Sequence, residues 1–138
     1  MRADLNVEKI LSDKRGSIIN LGFKKRIFEV FELKEGSLRA GHYHDCKATI
    51  VVLSGEIEYL QKDIPHNGPE RSLILKEGDL IVTESNHAHL LSGLKHSLVL
   101  EWRENELFKT ENYPPMRSKV EEYLDSGYSS FYTNVKSK

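Results

Sequence analysis

The chain has 138 residues, enough for one domain with one core. Twenty basic residues against twenty-one acidic ones leave a formal charge of −1, so no general attraction to nucleic acid or to a membrane surface is expected. No apolar run approaches the ~18 residues of a membrane helix. The start, with Arg2, Asp4 and Glu8, lacks the apolar stretch of a secretion signal. Cys46 is the single cysteine, which rules out an intrachain disulfide. Together these features predict a cytoplasmic protein in reducing surroundings.

Asn6 to Leu11 alternate loosely and predict an edge strand, followed by a polar turn at Asp13-Lys14-Arg15-Gly16. Ser17 to Leu21 and Ile27 to Leu33 read as strands, separated by Gly22 and the basic turn Lys24-Lys25-Arg26. Arg39-Ala40-Gly41-His42-Tyr43-His44 is extended, which puts both imidazoles on one face and Tyr43 on the opposite, packing face. Thr49 to Leu53 is nearly continuous aliphatic, the pattern of a strand covered on both faces. Glu56 to Gln61 alternates, and Pro65, Asn67-Gly68 and Pro69 mark a hairpin loop. Ser72 to Leu75, Leu80 to Thr83, His87 to Leu91 and Ser97 to Trp102 complete about ten short, evenly spaced strands. That spacing predicts an all-β antiparallel sandwich or barrel.

The character changes after Trp102. Following Pro114-Pro115, the residues Met116, Val120, Tyr123 and Leu124 fall on one stripe of an amphipathic helix that Gly127 would end. A tail with Tyr128, Phe131 and Tyr132 follows. The expected organisation is a barrel over residues 1–110, with a helix and tail over 111–138 packed on it or on a partner subunit.

Four of the six histidines form two His-x-His pairs, His42 with His44 and His87 with His89, each in a predicted strand. If those strands are neighbours facing one cavity, their imidazoles converge. His66 and His96 fall in a loop and near a turn, and read as surface residues. Glu101 either faces the cavity and tunes a histidine or lies exposed on an edge strand. Converging imidazoles serve two chemistries. They titrate near neutrality and so move protons, and when neutral they hold divalent zinc, iron, nickel, copper or manganese.

The two segments resemble the two motifs of the cupins. Gly41, His42, His44 and Gly55 match the first motif, with Ala48 where a Glu is usual. Gly78, Asp79 and His89 match the second, with Glu84 and Asn86 where Pro and Gly are usual. The resemblance runs from about Asp13 to Trp102 and implies a double-sheet jelly-roll barrel with its site inside. It also implies one divalent ion on His42, His44 and His89, without the family's carboxylate. Glu84 or His87 would be a possible extra ligand. Cys46 either adds a thiolate or merely packs.

A narrower resemblance joins Asp13-Lys14-Arg15-Gly16-Ser17 and Arg39-x-x-His42-x-His44 to the sugar-nucleotide cupins. These are the deoxythymidine-diphosphate-sugar 3,4-ketoisomerases and, more distantly, the deoxyhexose 3,5-epimerases, which work without a metal. Family members have Gly directly after that Arg, where this chain has Ala40-Gly41. The resemblance implies His42 and His44 as a proton shuttle and Arg39 beside the nucleotide-sugar diphosphate. Tyr59 is expected to line the barrel or its mouth. The leading expectation is therefore a metal-free isomerase or epimerase of a nucleotide-linked keto-sugar. The alternatives are a metal-binding cupin, such as an oxygenase or metal-assisted isomerase, and a non-catalytic ligand-binding barrel. Exposed sheet edges need covering, so a homodimer is expected.

Overall fold

The computed structural model describes residues 4–125, so the expectations for Gly127 and the aromatic tail lie outside the described residues. The first sheet contains β1 (Leu5–Asp13), β2 (Gly16–Phe23) and β3 (Arg26–Leu33), and later strands complete both sheets. These are β4 (Leu38–His44), β5 (Ala48–Ser54), β6 (Glu56–Asp63), β7 (Arg71–Lys76), β8 (Leu80–Thr83), β9 (His87–Gly93), β10 (Ser97–Arg103) and β11 (Thr110–Asn112). One helix, α1 (Pro114–Asp125), follows. The six-stranded sheet has the order β1-β2-β3-β10-β5-β8, and the five-stranded sheet the order β11-β4-β9-β6-β7. Neighbouring strands pair antiparallel throughout. The architecture is the expected all-β jelly roll with one C-terminal helix.

The core follows from the period of two along each strand. Phe31, Leu33, Ile50, Val52, Ile57, Tyr59, Leu91 and Val99 point between the sheets and form one buried cluster. The outer face of the five-stranded sheet carries Ala88 and Leu90, and helix α1 lays Met116, Val120 and Leu124 on them. Each of those three helix side chains contributes about 2 kcal/mol of burial. Tyr43 packs beside this second cluster, as its strand parity predicts. Its hydroxyl donates to Glu111 Oε2 at 2.7 Å.

Two details differ from the sequence expectation. The strand β5 is fully covered on one face and only partly on the other: Ala48, Ile50 and Val52 are buried, Thr49 and Val51 are half-buried, and Leu53 is 40 % exposed. The short strand β11 has no apolar alternation to announce it, yet it pairs with His42 to His44 and so walls the site. Among the described residues, no helix is long and apolar enough to cross a membrane.

Candidate metal centre

His42 on β4 and His89 on β9 are direct cross-strand partners. Their ring centroids lie 5.0 Å apart, and His44 completes a triangle at 4.7 Å from His42 and 5.4 Å from His89. One ring nitrogen from each lies within 4.8 Å of the others. Nitrogens bound tetrahedrally to one ion at ~2.1 Å stand about 3.4 Å apart, so a modest inward ring movement closes the set.

A bulge brings the neighbouring arginine to the same face. Arg39 pairs with Leu91, and His42 pairs with His89. Three steps on β4 thus match two on β9. In a regular strand, residues three apart face opposite ways. The extra residue is absorbed at Ala40 and Gly41, whose φ values are 74° and 78°. A Cβ on Gly41 would come within 2.7 Å of the Arg117 backbone, so only glycine lets α1 sit against the bulge. Gly41 O accepts from the Tyr113 N–H at 3.0 Å, and Ala40 O from Arg117 Nη1 at 2.9 Å.

The second motif keeps its turn despite the substitution at Asn86. Asn86 adopts φ 61°, which asparagine tolerates better than most residues, and its N–H donates to His44 O at 2.7 Å. That bond ties the turn before β9 to the end of β4 and helps bring His89 to His42.

The three imidazoles are held neutral. Burial, reinforced by His89, His44, Arg103 and Arg117, lowers the pKa of His42 to about 2. Burial and then Arg103 lower His44 to about 3. Burial lowers His89 to about 4, against a partly opposing contact with the His87 backbone. His44 Nδ1 is 2.9 Å from Thr110 Oγ1, while its Nε2 is buried with no partner among the described residues. His89 Nδ1 approaches His87 O at 3.4 Å. Donation from that Nδ1 leaves Nε2 as the free lone pair. Three neutral rings, two of them steadied at Nδ1 and one with a buried Nε2 left unpartnered, are a donor set that a divalent metal ion fits.

A cavity of about 210 Å³ adjoins His42 between the sheets. Glu29 and Glu101 line it, together with Arg15, Arg39, Arg103 and Arg117. Glu101 is buried on β10, which lies between β3 and β5, so it faces the cavity and not a sheet edge. Burial raises its pKa to about 7, against the opposing pull of Arg103. A larger surface hollow, about 320 Å³ beside Asp45, Lys109 and Glu111, contains none of the three histidines, so size does not single out the site.

Other expected site residues lie elsewhere. Glu84 is over half exposed and faces Lys47 at 3.8 Å, too far out on the surface to ligate. His87 sits at the end of β9, its Nε2 3.6 Å from Asp63 Oδ1, and is not in the cluster. Tyr59 does not line the cavity beside His42: its side chain is sealed in the core and its hydroxyl lies 2.6 Å from Thr83 Oγ1. Arg39 does line it, but Nε and Nη2 already donate to Glu32 O and Gly16 O. Cys46 is buried outside the cluster. Ala48 is buried at the position where the resemblance implies a carboxylate, and no acidic group joins the histidines among the described residues. Arg103 could have been read from its shared parity with Glu101; nothing in the sequence pattern pointed to Arg117.

No protein-family model matches the sequence, and comparison with curated proteins found no match. Solved structures do match. The capsular polysaccharide assembling protein CapF from Staphylococcus aureus aligns with a TM-score of 0.63 at 16 % identity, covering 72 % of this chain and 31 % of that one. An oxalate decarboxylase from B. subtilis aligns at 0.68 and 16 %, covering 81 % and 33 %. The Drosophila melanogaster CENP-C cupin domain aligns at 0.56 and 16 %, covering 73 % and 76 %. This chain therefore spans about a third of the length of the first two. At such identities the likeness is one of architecture, and the architecture of this chain is the cupin fold.

Proposed function

We propose that this chain binds one divalent transition-metal ion on His42, His44 and His89 and acts on a small molecule held in the adjoining cavity. The observation that carries the reading is the convergence of three buried, neutral imidazoles, one with an orphaned buried Nε2. A bound ion would supply Lewis acidity, polarising a substrate oxygen or making a bound water more acidic. The protein's own contribution is orientation. Thr110 and the His87 carbonyl steady two of the rings, and the hydrophobic layer around Tyr59 and Leu91 keeps water from the inner side. Glu101 lines the same cavity, and burial raises its carboxyl pKa against the pull of Arg103, so it is the group placed to hold or release a proton.

The metal-free isomerase is the second reading, favoured by Arg39 and His42 lining one cavity and by the likeness to a capsular polysaccharide assembling protein. It is weaker because imidazoles with pKa values near 2 and 3 are poor bases at neutral pH. Elemental analysis and metal titration separate the two. Stoichiometric metal, lost in His44→Ala and His89→Ala, supports the first reading. A metal-free protein that exchanges solvent deuterium into a 4-keto-6-deoxy nucleotide sugar, and loses that exchange in His44→Ala, replaces it with the second.

A homodimer is proposed on separate grounds. Strand β1 is a sheet edge, and its Val7 and Ile10 are each 60 % exposed. A second copy laid along that edge would cover both the unpaired backbone and these side chains. Gel filtration giving a monomer at micromolar concentration rejects it.

A further inference from the structure

A buried guanidinium is costly unless an anion matches it. The cavity beside His42 has four arginines in its walls. Arg15 is forked onto Asp13. Arg103 faces Glu29 at 3.3 Å and Glu101 at 3.6 Å, so two carboxylates share one cation. Arg39 rests on backbone carbonyls, and among the described residues no carboxylate is in ion-pair contact with it. Arg117 reaches from α1 to Ala40 O at 2.9 Å, and its partner Glu121 at 3.3 Å is more than half exposed and screened by water. Four guanidiniums line the cavity against two carboxylates, Glu29 and Glu101, and behind this excess of positive charge Asp13 pairs with Arg15 and the field of Glu32 reaches Arg39. An ion on three neutral imidazoles adds two more positive charges, because Ala48 supplies no charge.

Two further observations point the same way. Arg103 Nε is buried with no partner among the described residues. The cavity of about 210 Å³ is smaller than the ~300 Å³ at the low end of small-molecule pockets, which suits a small acid.

We propose that this cavity binds a small dianion, with carboxylate or phosphate as its charged group, between Arg103 of the barrel and Arg117 of the C-terminal helix, over the buried charge of Arg39. The inference deepens the metal-site reading, which places the reacting end of the ligand at His42. It makes α1 a wall of the site. The Ala40-Gly41 bulge seats the helix backbone, and that seat aims Arg117 inward.

The test is calorimetric titration of chelator-treated and metal-loaded protein with malonate, inorganic phosphate and the neutral malonamide. Malonate or phosphate should bind the chelator-treated wild type and bind the loaded protein more tightly, while malonamide binds neither. The tighter of the two anions identifies the charged group. Arg117→Ala should weaken anion binding at least tenfold and leave metal affinity unchanged. Arg117→Lys should recover only part of the loss, because a point charge replaces a planar fork. Should Arg117→Ala fail to fold, unchanged anion affinity in Arg117→Lys overturns the proposal. So does equal binding of malonamide, or no anion binding in either form. Metal without anion binding sinks this inference and spares the metal site. Arg117-dependent anion binding without metal does the reverse.

Discussion

The two His-x-His pairs have the same spacing and the same strand parity, yet they meet different fates. His42 and His44 both enter the cluster, whereas His89 enters it without His87. Parity decides which face of a sheet a side chain takes. It does not decide how far along the barrel that side chain stands. His89 lies opposite His42 in mid-sheet, while His87 lies opposite Asp63 at the strand's end and is partly exposed. Depth comes from register, and register is set by the turn at Asn86 and the bulge at Ala40-Gly41.

Substitution of the histidines tests that contrast most severely. His89→Ala should lower metal affinity on the order of 100-fold or more, beyond what loss of an outer partner causes. Isothermal titration with zinc measures it, and retained affinity would show that the ion is held elsewhere.

Acid comes next. The three cluster imidazoles refuse protons that the unfolded chain accepts below about pH 6.5, so each removes stability as pH falls from there toward 4. The slope is about 1.4 kcal/mol per pH unit for each ring. Glu101 works in the other direction. Its folded value of about 7 lies above the unfolded 4.5, so it costs stability as pH rises through that window. Three rings against one carboxyl leave a net loss of stability on acidification. Thermal melts of chelator-treated protein between pH 7 and 4.5 should show it, and a flat profile would contradict buried neutral rings.

Gly41→Ala probes the register itself. The positive φ and the contact with the Arg117 backbone together should cost roughly 2–4 kcal/mol in urea unfolding. A loss under 0.5 kcal/mol would mean that the bulge is not under this constraint. His87→Ala should do least, changing stability by at most about 0.5 kcal/mol and zinc affinity by less than about twofold. A larger drop in affinity would move His87 into the site.

Much of this was legible beforehand. Turn residues and alternation located most of the strands, and the resemblance to the cupin motifs around His42, His44 and His89 implied the barrel with its site inside. Three features were not. The bulge needs a positive φ at Ala40, a residue with no preference for one. The strand β11 is Thr-Glu-Asn, without an apolar pattern. Arg117 enters the cavity from a helix whose stripe announces only its packing side. Asn86 looked like a departure from the motif, yet it adopts the left-handed conformation that the usual glycine would supply. Tyr59 was readable as inward-facing, but only its packing against Thr83 and His89 places it in the sealed interior.

His44 is steadied by Thr110, on a strand of three exposed residues beyond a connection in which Leu107 is 92 % exposed. So little buried surface makes that strand a natural place for local opening well below the free energy of global unfolding. Exchange of a bound ion with the medium would then be governed by fraying of this one ribbon. Its rate would follow amide hydrogen exchange at residues 110–112 and would be insensitive to changes in the deep core.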